Sequence, residues 1–389
     1  MLVHVLLLFF AAADFNAQLR AGLDALNKND LAHARQILEA ASRLQPRNPE
    51  VWIALAQTYR GLKSPTLAEA AAVKAETFAT KSPDTIHALA VYYAQAGNFD
   101  KAASLESRYA ASNEDASADA AVLWIRAGKP RAAIEYARRA SARDNKRGDL
   151  HALLAAAYDG DDQLENATSE YQRAIEMSPY EEAYYRDLAR MLVRHQRFPE
   201  AQVVLDSSRK IFDRSPVLET ETGIVYYSQR HFADAVSCFL RAISYAPGSE
   251  QPYVLLGRML DQVGDRMPEV MARLDAWHAA NPRSSAASLV YAKAVMQTGG
   301  DDGKAEKLLR ESIALKDTDW ESHYQLGVLF EKEQKFNEAA AEFKVSVNLD
   351  AKQLDTHEHL ARVYDRLGQP DRAASERKVQ QLLTGTPGK

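Results

Sequence analysis

A small residue recurs along almost the whole chain at a nearly constant interval. Glycine or alanine stands at eleven positions that are mostly 34 residues apart: Gly22, Ala56, Ala90, Ala121, Ala155, Ala189, Gly223, Gly257, Ala292, Gly327 and Ala361. A second series follows twelve or thirteen residues later in each copy: Ala34, Ala68, Ala102, Ala133, Ala167, Ala201, Ala235, Val270, Ala305, Ala339 and Ala373. Both series share one shortened step, between the third and fourth copies. The chain is therefore a tandem array, and only a repeat architecture fits it.

Each copy has the pattern of two short amphipathic helices. In the fifth copy, apolar side chains at three- and four-residue spacing predict helices over Leu150–Tyr158 and Leu164–Met177. Gly160 interrupts the pattern between them, and Pro179 follows the second helix. The recurring small residues have a steric role, because two helix axes can approach closely where neither side chain is bulky. The sequence predicts an all-α chain.

These copies resemble the tetratricopeptide repeat (TPR), which has an aromatic residue, leucine, glycine or alanine, and tyrosine on its first helix. Alanine, phenylalanine, alanine and proline follow on its second helix. The best matches are Trp52, Leu55, Ala56 and Tyr59; Gly223, Tyr226, Ala235, Phe239, Ala242 and Pro247; and His323, Leu326, Gly327, Phe330, Ala339 and Phe343. The resemblance covers residues 15–385. It implies a right-handed α-solenoid, or superhelix, of about eleven helix-turn-helix repeats, each in contact mainly with its neighbours.

Two departures from the family pattern are local. Trp277 and Tyr109 replace the small residue that packs against the following repeat. We expect the packing of the helices to change at these places.

The N-terminal residues differ from the array. Residues 1–13, MLVHVLLLFFAAA, contain no charged side chain, and as a helix they would span about 20 Å against about 30 Å of bilayer hydrocarbon. The final alanines suit a secretory cleavage site, although the positive charges that normally precede such a segment are missing. A hydrophobic cap on the first repeat is the alternative. We predict a signal peptide or its remnant over residues 1–13, the array over 14–385, a tail over 386–389, and no transmembrane span.

Residues with catalytic or metal-binding potential do not cluster in the sequence. His357 and His359 lie two apart on a predicted helix, so they face different directions and cannot share a metal. A run of acidic residues before Leu164 imitates a calcium loop, but Leu164 stands where the loop needs glycine. Cys238, the single cysteine, has no evident activating partner and is expected to be buried. We expect no catalytic residue, no metal and no cofactor.

The clearest binding candidate is a stripe of three arginines, Arg186, Arg190 and Arg194, on the first helix of the sixth repeat. In the family, the fifth, ninth and thirteenth positions that they occupy tend to line the concave groove. Like charges at this spacing cost about 0.2–0.5 kcal/mol per pair, so a neutralising partner is expected. It is either an acidic peptide, since arginine pairs with carboxylates through two bonds, or acidic side chains of the chain itself: Glu182, Asp187 and Glu221.

The matching groove positions of later repeats extend this surface. They carry Thr220, Ile224, Tyr227, Arg258, Tyr324, Lys332 and Arg362. The equivalent positions of earlier repeats are less distinctive: Ile53, Gln57, His87, Val91, Ala118 and Val122. We therefore predict that partners bind to the second half of the array.

The function predicted from these features is a non-enzymatic scaffold that binds proteins or acidic peptides along its groove. With 48 basic and 53 acidic residues, the net charge of −5 gives no reason to expect nucleic acid. If the N-terminus directs export, the protein serves an envelope, secretion or polysaccharide assembly in the periplasm; otherwise it is cytoplasmic. Two alternatives remain: recognition of a glycan or small ligand through Tyr227 and Tyr324, and an enzyme with a site embedded in the groove.

Overall fold

The computed structural model describes residues 2–79 and 82–385, with side chains from residue 14 onward. Within them the chain is helical, without strands. Its helices are α1 Leu2–Asn27, α2 Leu31–Leu44, α3 Pro49–Gly61, α4 Pro65–Phe78, α5 Pro83–Gln95, α6 Phe99–Ala110, α7 Ser117–Arg126, α8 Pro130–Arg143, α9 Gly148–Gly160, α10 Leu164–Met177, α11 Glu182–Arg194, α12 Phe198–Arg209, α13 Pro216–Ser228, α14 Phe232–Tyr245, α15 Glu250–Gly257, α16 Met267–Ala280, α17 Ser285–Gln297, α18 Asp302–Leu315, α19 Trp320–Lys332, α20 Phe336–Leu349, α21 Leu354–Arg366 and α22 Pro370–Thr384. Short 3-10 turns cover Glu114–Ala116, Leu260–Gln262 and Gly264–Arg266.

The predicted all-α fold of helix-turn-helix repeats is confirmed. The chain divides into two compact units, Met1–Met191 and Leu192–Lys389. Within each unit, helices pack in consecutive pairs such as α3 with α4 or α19 with α20, and each pair packs against the next one. The first helices of neighbouring pairs also contact one another, as α1, α3 and α5 do in the first unit and α15, α17 and α19 in the second. We call the surface that these helices form the first-helix face.

The small residue on the first helix makes room for a large side chain on the second. A Cβ added to Gly223 of α13 would lie 2.5 Å from the ring of Phe239 on α14. The same relation recurs three repeats later, where a Cβ on Gly327 would lie 2.7 Å from the ring of Phe343. Both phenylalanines are fully buried. The steric role predicted for the small residue is thus confirmed at these two repeats.

A polar pair recurs inside three of the repeats. A histidine on the first helix places Nδ1 2.6–2.7 Å from a glutamate of the second helix, in the pairs His151 with Glu170, His323 with Glu342, and His357 with Glu376. Its Nε2 lies 3.1–3.3 Å from the carbonyl oxygen six residues earlier. Trp52, Tyr185 and Tyr253 occupy the equivalent position elsewhere and donate to the carbonyl at the same spacing. In these six repeats, this position therefore ties the first helix to the turn before it.

His357 and His359 have separate partners, as their spacing predicts. His357 faces Glu376 of its own repeat, whereas Nδ1 of His359 lies 2.5 Å from Glu331 of the repeat before. The two side chains share no ligand position.

At its N-terminal end, helix α1 runs without interruption from the apolar segment into the first repeat. In the part of the chain that the structure describes, no helix is both long enough and apolar enough to cross a membrane. The predicted tail, residues 386–389, lies outside the described residues, as do the side chains of residues 1–13. The boundary at residue 13 stays a prediction.

Candidate functional site

A pocket on the first-helix face of the second unit brings together three of the predicted binding residues, Ile224, Tyr227 and Arg258. Its volume is about 340 Å³, and Phe239 and Leu255 complete its lining. This size is at the small end of protein ligand sites, so it suits one or two side chains of a bound peptide. We call it the Arg258 pocket.

The pocket lies beside an interrupted helix. Helix α15 has 8 residues and ends at Gly257, whereas the first helices α13 and α17 have 13 each. A Cβ added to Gly257 would lie 2.8 Å from Val290 of α17, so the end of α15 approaches its neighbour closely. Met259 then leaves helical geometry with φ −130°, and two 3-10 turns follow. Arg258 thereby stands at the end of a helix.

The second helix of the same repeat explains part of this change. The ring of Trp277 stacks on Tyr253 of α15, with centroids 4.4 Å apart and planes only 7° from parallel. Trp277 is 3% exposed. The altered packing that we expected from Trp277 is therefore found in this repeat. Helix α15 is in contact with Trp277 on one side and with Val290 on another.

The side chains of the pocket combine an aromatic ring, an apolar floor and a positive charge. Tyr227 is 43% exposed, and its ring is supported by the edge of Phe232 at a centroid distance of 5.8 Å. Phe239 is fully buried and forms the floor. Arg258 is exposed and makes no ion pair with any residue that the structure describes. The pocket can therefore bury an apolar group and pair with an anion at its edge.

An ionic network links α12 to the repeat that holds Tyr227. Glu219 accepts hydrogen bonds from Arg209 at 2.9 Å and from Arg241 at 3.1 Å. Both guanidinium groups also contact the Cys238 sulfur, at 3.5 and 3.1 Å. These two partners were not predicted from the sequence. Even so, burial raises the pKa of the Cys238 thiol to about 11, against the lowering effect of the arginines, so the cysteine is a neutral core residue.

The arginine stripe is placed on α11 as predicted. Arg190 and Arg194 are exposed, while Arg186 is half-buried and its Nε donates to Asp187 at 2.8 Å. None of the three guanidinium groups is without a partner. Asp187, one of the internal neutralising residues that we considered, is thus in use.

Three other predicted residues are engaged within the fold. Thr220 is 4% exposed, and its hydroxyl donates to the carbonyl of Pro216, so it offers no surface to a partner. Lys332 pairs with Asp302 at 2.7 Å. Arg362 pairs with Glu358 of its own helix and with Glu331 of α19, the first helix of the preceding repeat.

Tyr324 packs against neighbouring rings of the fold instead of offering its ring to a partner. Its ring lies between 5.5 and 6.2 Å from those of three neighbours, Trp320, Phe343 and His359. Burial, followed by nearby carboxylates, raises the pKa of Tyr324 to about 12. Its hydroxyl therefore stays protonated at physiological pH.

Two walls of the pocket were missed by the sequence reasoning. Phe239 was assigned to the repeat pattern, and Leu255 had no distinguishing feature. Within the described residues, no group of three or more histidine, cysteine, aspartate or glutamate side chains is arranged to hold a metal ion.

Comparison with known families gives one match. The family model of the tetratricopeptide repeat matches residues 19–83, which reach from α1 to the first residue of α5. The remaining described helices continue the same paired arrangement. The resemblance recognised in the sequence is thereby confirmed. No curated protein matches the sequence.

Several solved structures are similar to the chain at low sequence identity. Yeast Tom70 gives a TM-score of 0.49 at 13% identity, over 95% of this chain and 92% of that one. The Cut9–Hcn1 hetero-tetramer of the APC/C gives 0.47 at 12% identity, over 94% and 93%. PilW, a type IV pilus biogenesis factor, gives 0.45 at 20% identity, over 51% and 91%. Likeness at this level carries no information about function.

Proposed function

We propose that this chain of tetratricopeptide repeats is a non-enzymatic scaffold that binds other proteins, and that the Arg258 pocket is one of its contact sites. The observation that carries the proposal is an exposed tyrosine and an arginine without an ion-pair partner among the described residues, both at the edge of an apolar pocket. Tyrosine and arginine are the residue types that most often dominate protein interfaces.

The chemistry of the pocket favours a partner segment with an apolar side chain next to a carboxylate. Contact with the ring of Tyr227 and with Leu255 would remove apolar surface from water, at about 25 cal/mol per Å² buried. The planar guanidinium of Arg258 matches a carboxylate through two parallel hydrogen bonds. An extended or a helical segment could present such a pair of groups.

The stripe on α11 is a second candidate for an acidic partner. Arg190 and Arg194 are exposed there, so a carboxylate-rich segment could exchange with their present contacts. We treat the stripe as a separate contact site and test it with its own variant, Arg186→Glu/Arg190→Glu/Arg194→Glu.

A capture experiment tests the proposal. The tagged protein is cross-linked in cells and its partners are identified by mass spectrometry, in parallel with Tyr227→Ala, Arg258→Glu and the α11 triple variant. Arg283→Glu is the matched control, because Arg283 is exposed in the turn after α16 and is not part of the pocket lining. Each variant is first shown to keep its helicity and its melting temperature.

We expect at least one protein to be captured by the wild type and by Arg283→Glu but lost with Tyr227→Ala and Arg258→Glu. Capture of the same proteins by all variants would remove the pocket from the interface. Turnover of a substrate that depended on a residue of the first-helix face would contradict the non-enzymatic part of the proposal.

Glycan recognition has narrower support, because Tyr227 presents its ring whereas Tyr324 is packed among other rings. A saturable rise in melting temperature with a panel of oligosaccharides, lost in Tyr227→Ala, would favour it over a protein partner.

Export to the periplasm or cell envelope is the cellular setting that we propose, for a role in a secretion, assembly or polysaccharide machine. The support is the uncharged apolar run of residues 1–13, which ends in three alanines. N-terminal sequencing of the fractionated protein is the test. A periplasmic protein that begins near Asp14 is expected, and a cytosolic protein that retains residues 1–13 would contradict export.

A further inference from the structure

A second pocket lies on the first-helix face of the first unit, among α1, α3 and α5. Its volume is about 280 Å³, and it is lined by Leu23, Glu50, Ile53, Ala54, Gln57, Asp84, Thr85 and Ala88. We call it the Glu50–Asp84 pocket. It lies in the first half of the chain, where the groove positions are less distinctive in the sequence than those of the later repeats.

The floor of this pocket is apolar. Ile53 and Ala54 are 6% and 1% exposed, so they are held in place by the packing of α3. Leu23 of α1 forms a wall and is 38% exposed. Because Ala54 and Ala88 are small, space remains between the three helices. An apolar side chain that entered this space would cover the exposed surface of Leu23, and both side chains would then be shielded from water.

The rim of the pocket is negatively charged. Glu50 and Asp84 are exposed and occupy the second residue of α3 and of α5, one repeat apart. Neither carboxylate has an ion-pair partner in the described ranges of the chain. Arg60, the cation of α3, donates to Tyr92 O and Gln95 Oε1 and is thereby held on α5. The pocket therefore presents, beside an apolar floor, two negative charges that no described residue pairs with.

The position of Glu50 and Asp84 in the first turn of a helix is enough to explain why acidic residues stand there, but it does not explain the pocket between the helices. Carboxylates in the first turn of a helix are favoured by the helix macrodipole. Asp371 illustrates this, since it follows a proline at the second residue of α22 just as Asp84 does on α5. Asp371 does not line the Glu50–Asp84 pocket. A variant at Asp371 therefore reports the effect of the helix position by itself.

We infer that the Glu50–Asp84 pocket binds a segment of a partner protein in which leucine or methionine stands beside lysine or arginine. The apolar side chain enters above Ile53 and Ala54, and the cation pairs with the two carboxylates at the rim. An acidic or uncharged segment would cover these carboxylates without compensating their charge, which is unfavourable. This inference extends the proposed scaffold to a second site, opposite in charge to the Arg258 pocket.

Fluorescence anisotropy with defined peptides tests the inference on the full chain. The probe is a fluorescein-labelled peptide of sequence GLKGLKG, compared with GSKGSKG, which keeps the charge, and with GLEGLEG, which reverses it. The protein variants are Glu50→Gln/Asp84→Asn, Leu23→Ser and the control Asp371→Asn. Arg258→Glu is included because it disables the proposed site of the second unit. Circular dichroism verifies that each variant is folded.

We expect saturable binding of GLKGLKG that weakens at least tenfold in Glu50→Gln/Asp84→Asn, weakens in Leu23→Ser, and is unchanged in Asp371→Asn and Arg258→Glu. Binding should also fall as salt is raised from 50 to 500 mM, because the pairing is at the surface. If GSKGSKG bound as tightly as GLKGLKG, charge attraction alone would account for the binding, and the inference would be overturned. Affinity within twofold of wild type in Glu50→Gln/Asp84→Asn would overturn it as well.

A second copy of this protein is the alternative occupant of the Glu50–Asp84 pocket. Sedimentation velocity of the wild type and of Glu50→Gln/Asp84→Asn detects a second copy in the pocket. A dimer that is lost in the variant would assign the pocket to self-association and refute a basic partner segment. Since Arg258→Glu leaves this site intact, failure of the peptide experiment and failure of the proposed Arg258 contact are distinguishable.

Discussion

Replacing Gly223 by alanine should destabilise the seventh repeat, although alanine is the better helix former. The added Cβ would lie 2.5, 2.8 and 3.0 Å from three atoms of the Phe239 ring. Phe239 is 1% exposed, so its ring has little freedom to move away. The ring also lines the Arg258 pocket. Any displacement toward that side would reduce the space available to a ligand.

The size of the effect follows from two opposing contributions. Alanine in place of glycine inside a helix gains about 1 kcal/mol. Overpacking a well-filled core costs about 1–3 kcal/mol, and the upper part of that range applies because three atoms of a planar, rigid ring are in contact. The net loss is therefore about 1–2 kcal/mol, which corresponds to a factor of about 5–30 in the local opening equilibrium.

Hydrogen exchange is the suitable assay, because a repeat array opens locally and a single free energy of unfolding does not describe it. Amides of α13 and α14 should exchange about 5- to 30-fold faster in Gly223→Ala. Gly248→Ala, where an added Cβ meets nothing within 4 Å, should leave exchange unchanged. Gly223→Ala/Phe239→Leu should recover part of the protection. Unchanged or slower exchange in Gly223→Ala would refute the steric argument.

Three further results are expected. His357→Tyr should lower the local opening free energy of α21 and α22, measured by hydrogen exchange, by about 1 kcal/mol less than His357→Ala does. A hydroxyl can restore the bond to Ala351 O as Tyr253 forms the equivalent bond in its own repeat; equal losses would contradict this. Cys238 should react with Ellman's reagent at pH 8 far more slowly in the folded protein than in urea, and the stability due to its neutral thiol should be lost as the pH rises from 9.0 toward about 11. Lys332→Ala should change stability by less than about 1 kcal/mol, since its pair with Asp302 is exposed.

The repeat and its helix pairs were predictable because their causes are local. The helix predicted over Leu164–Met177 is observed with the same bounds, and that over Leu150–Tyr158 is extended to Gly148–Gly160. The spacing of apolar residues within one copy determines where each helix lies. The small residues indicate that the two helices of a pair approach closely. Eleven copies of the same pattern reinforce one another, so a departure in one copy does not obscure the rest.

The candidate site was only partly predictable because its properties depend on contacts between repeats. Repeat position placed Ile224, Tyr227 and Arg258 correctly on one surface, and the structure brings them together in one pocket. The end of α15 depends on its approach to Val290, more than thirty residues away in sequence. Likewise, Lys332 is paired with Asp302 of the preceding repeat. Position in a repeat predicts which face a side chain occupies, but not whether another repeat already supplies its partner.

The central claim, that the Arg258 pocket is a contact site for a partner protein, is tested most directly by photo-cross-linking in cells. A photoreactive phenylalanine, p-benzoylphenylalanine, replaces Tyr227, which is 43% exposed in the pocket, or Tyr180, which is 83% exposed outside it. The account predicts a discrete cross-linked product for the Tyr227 replacement that is absent for Tyr180 and is lost when Arg258→Glu is added. No product at Tyr227, or the same products at both positions, would contradict it.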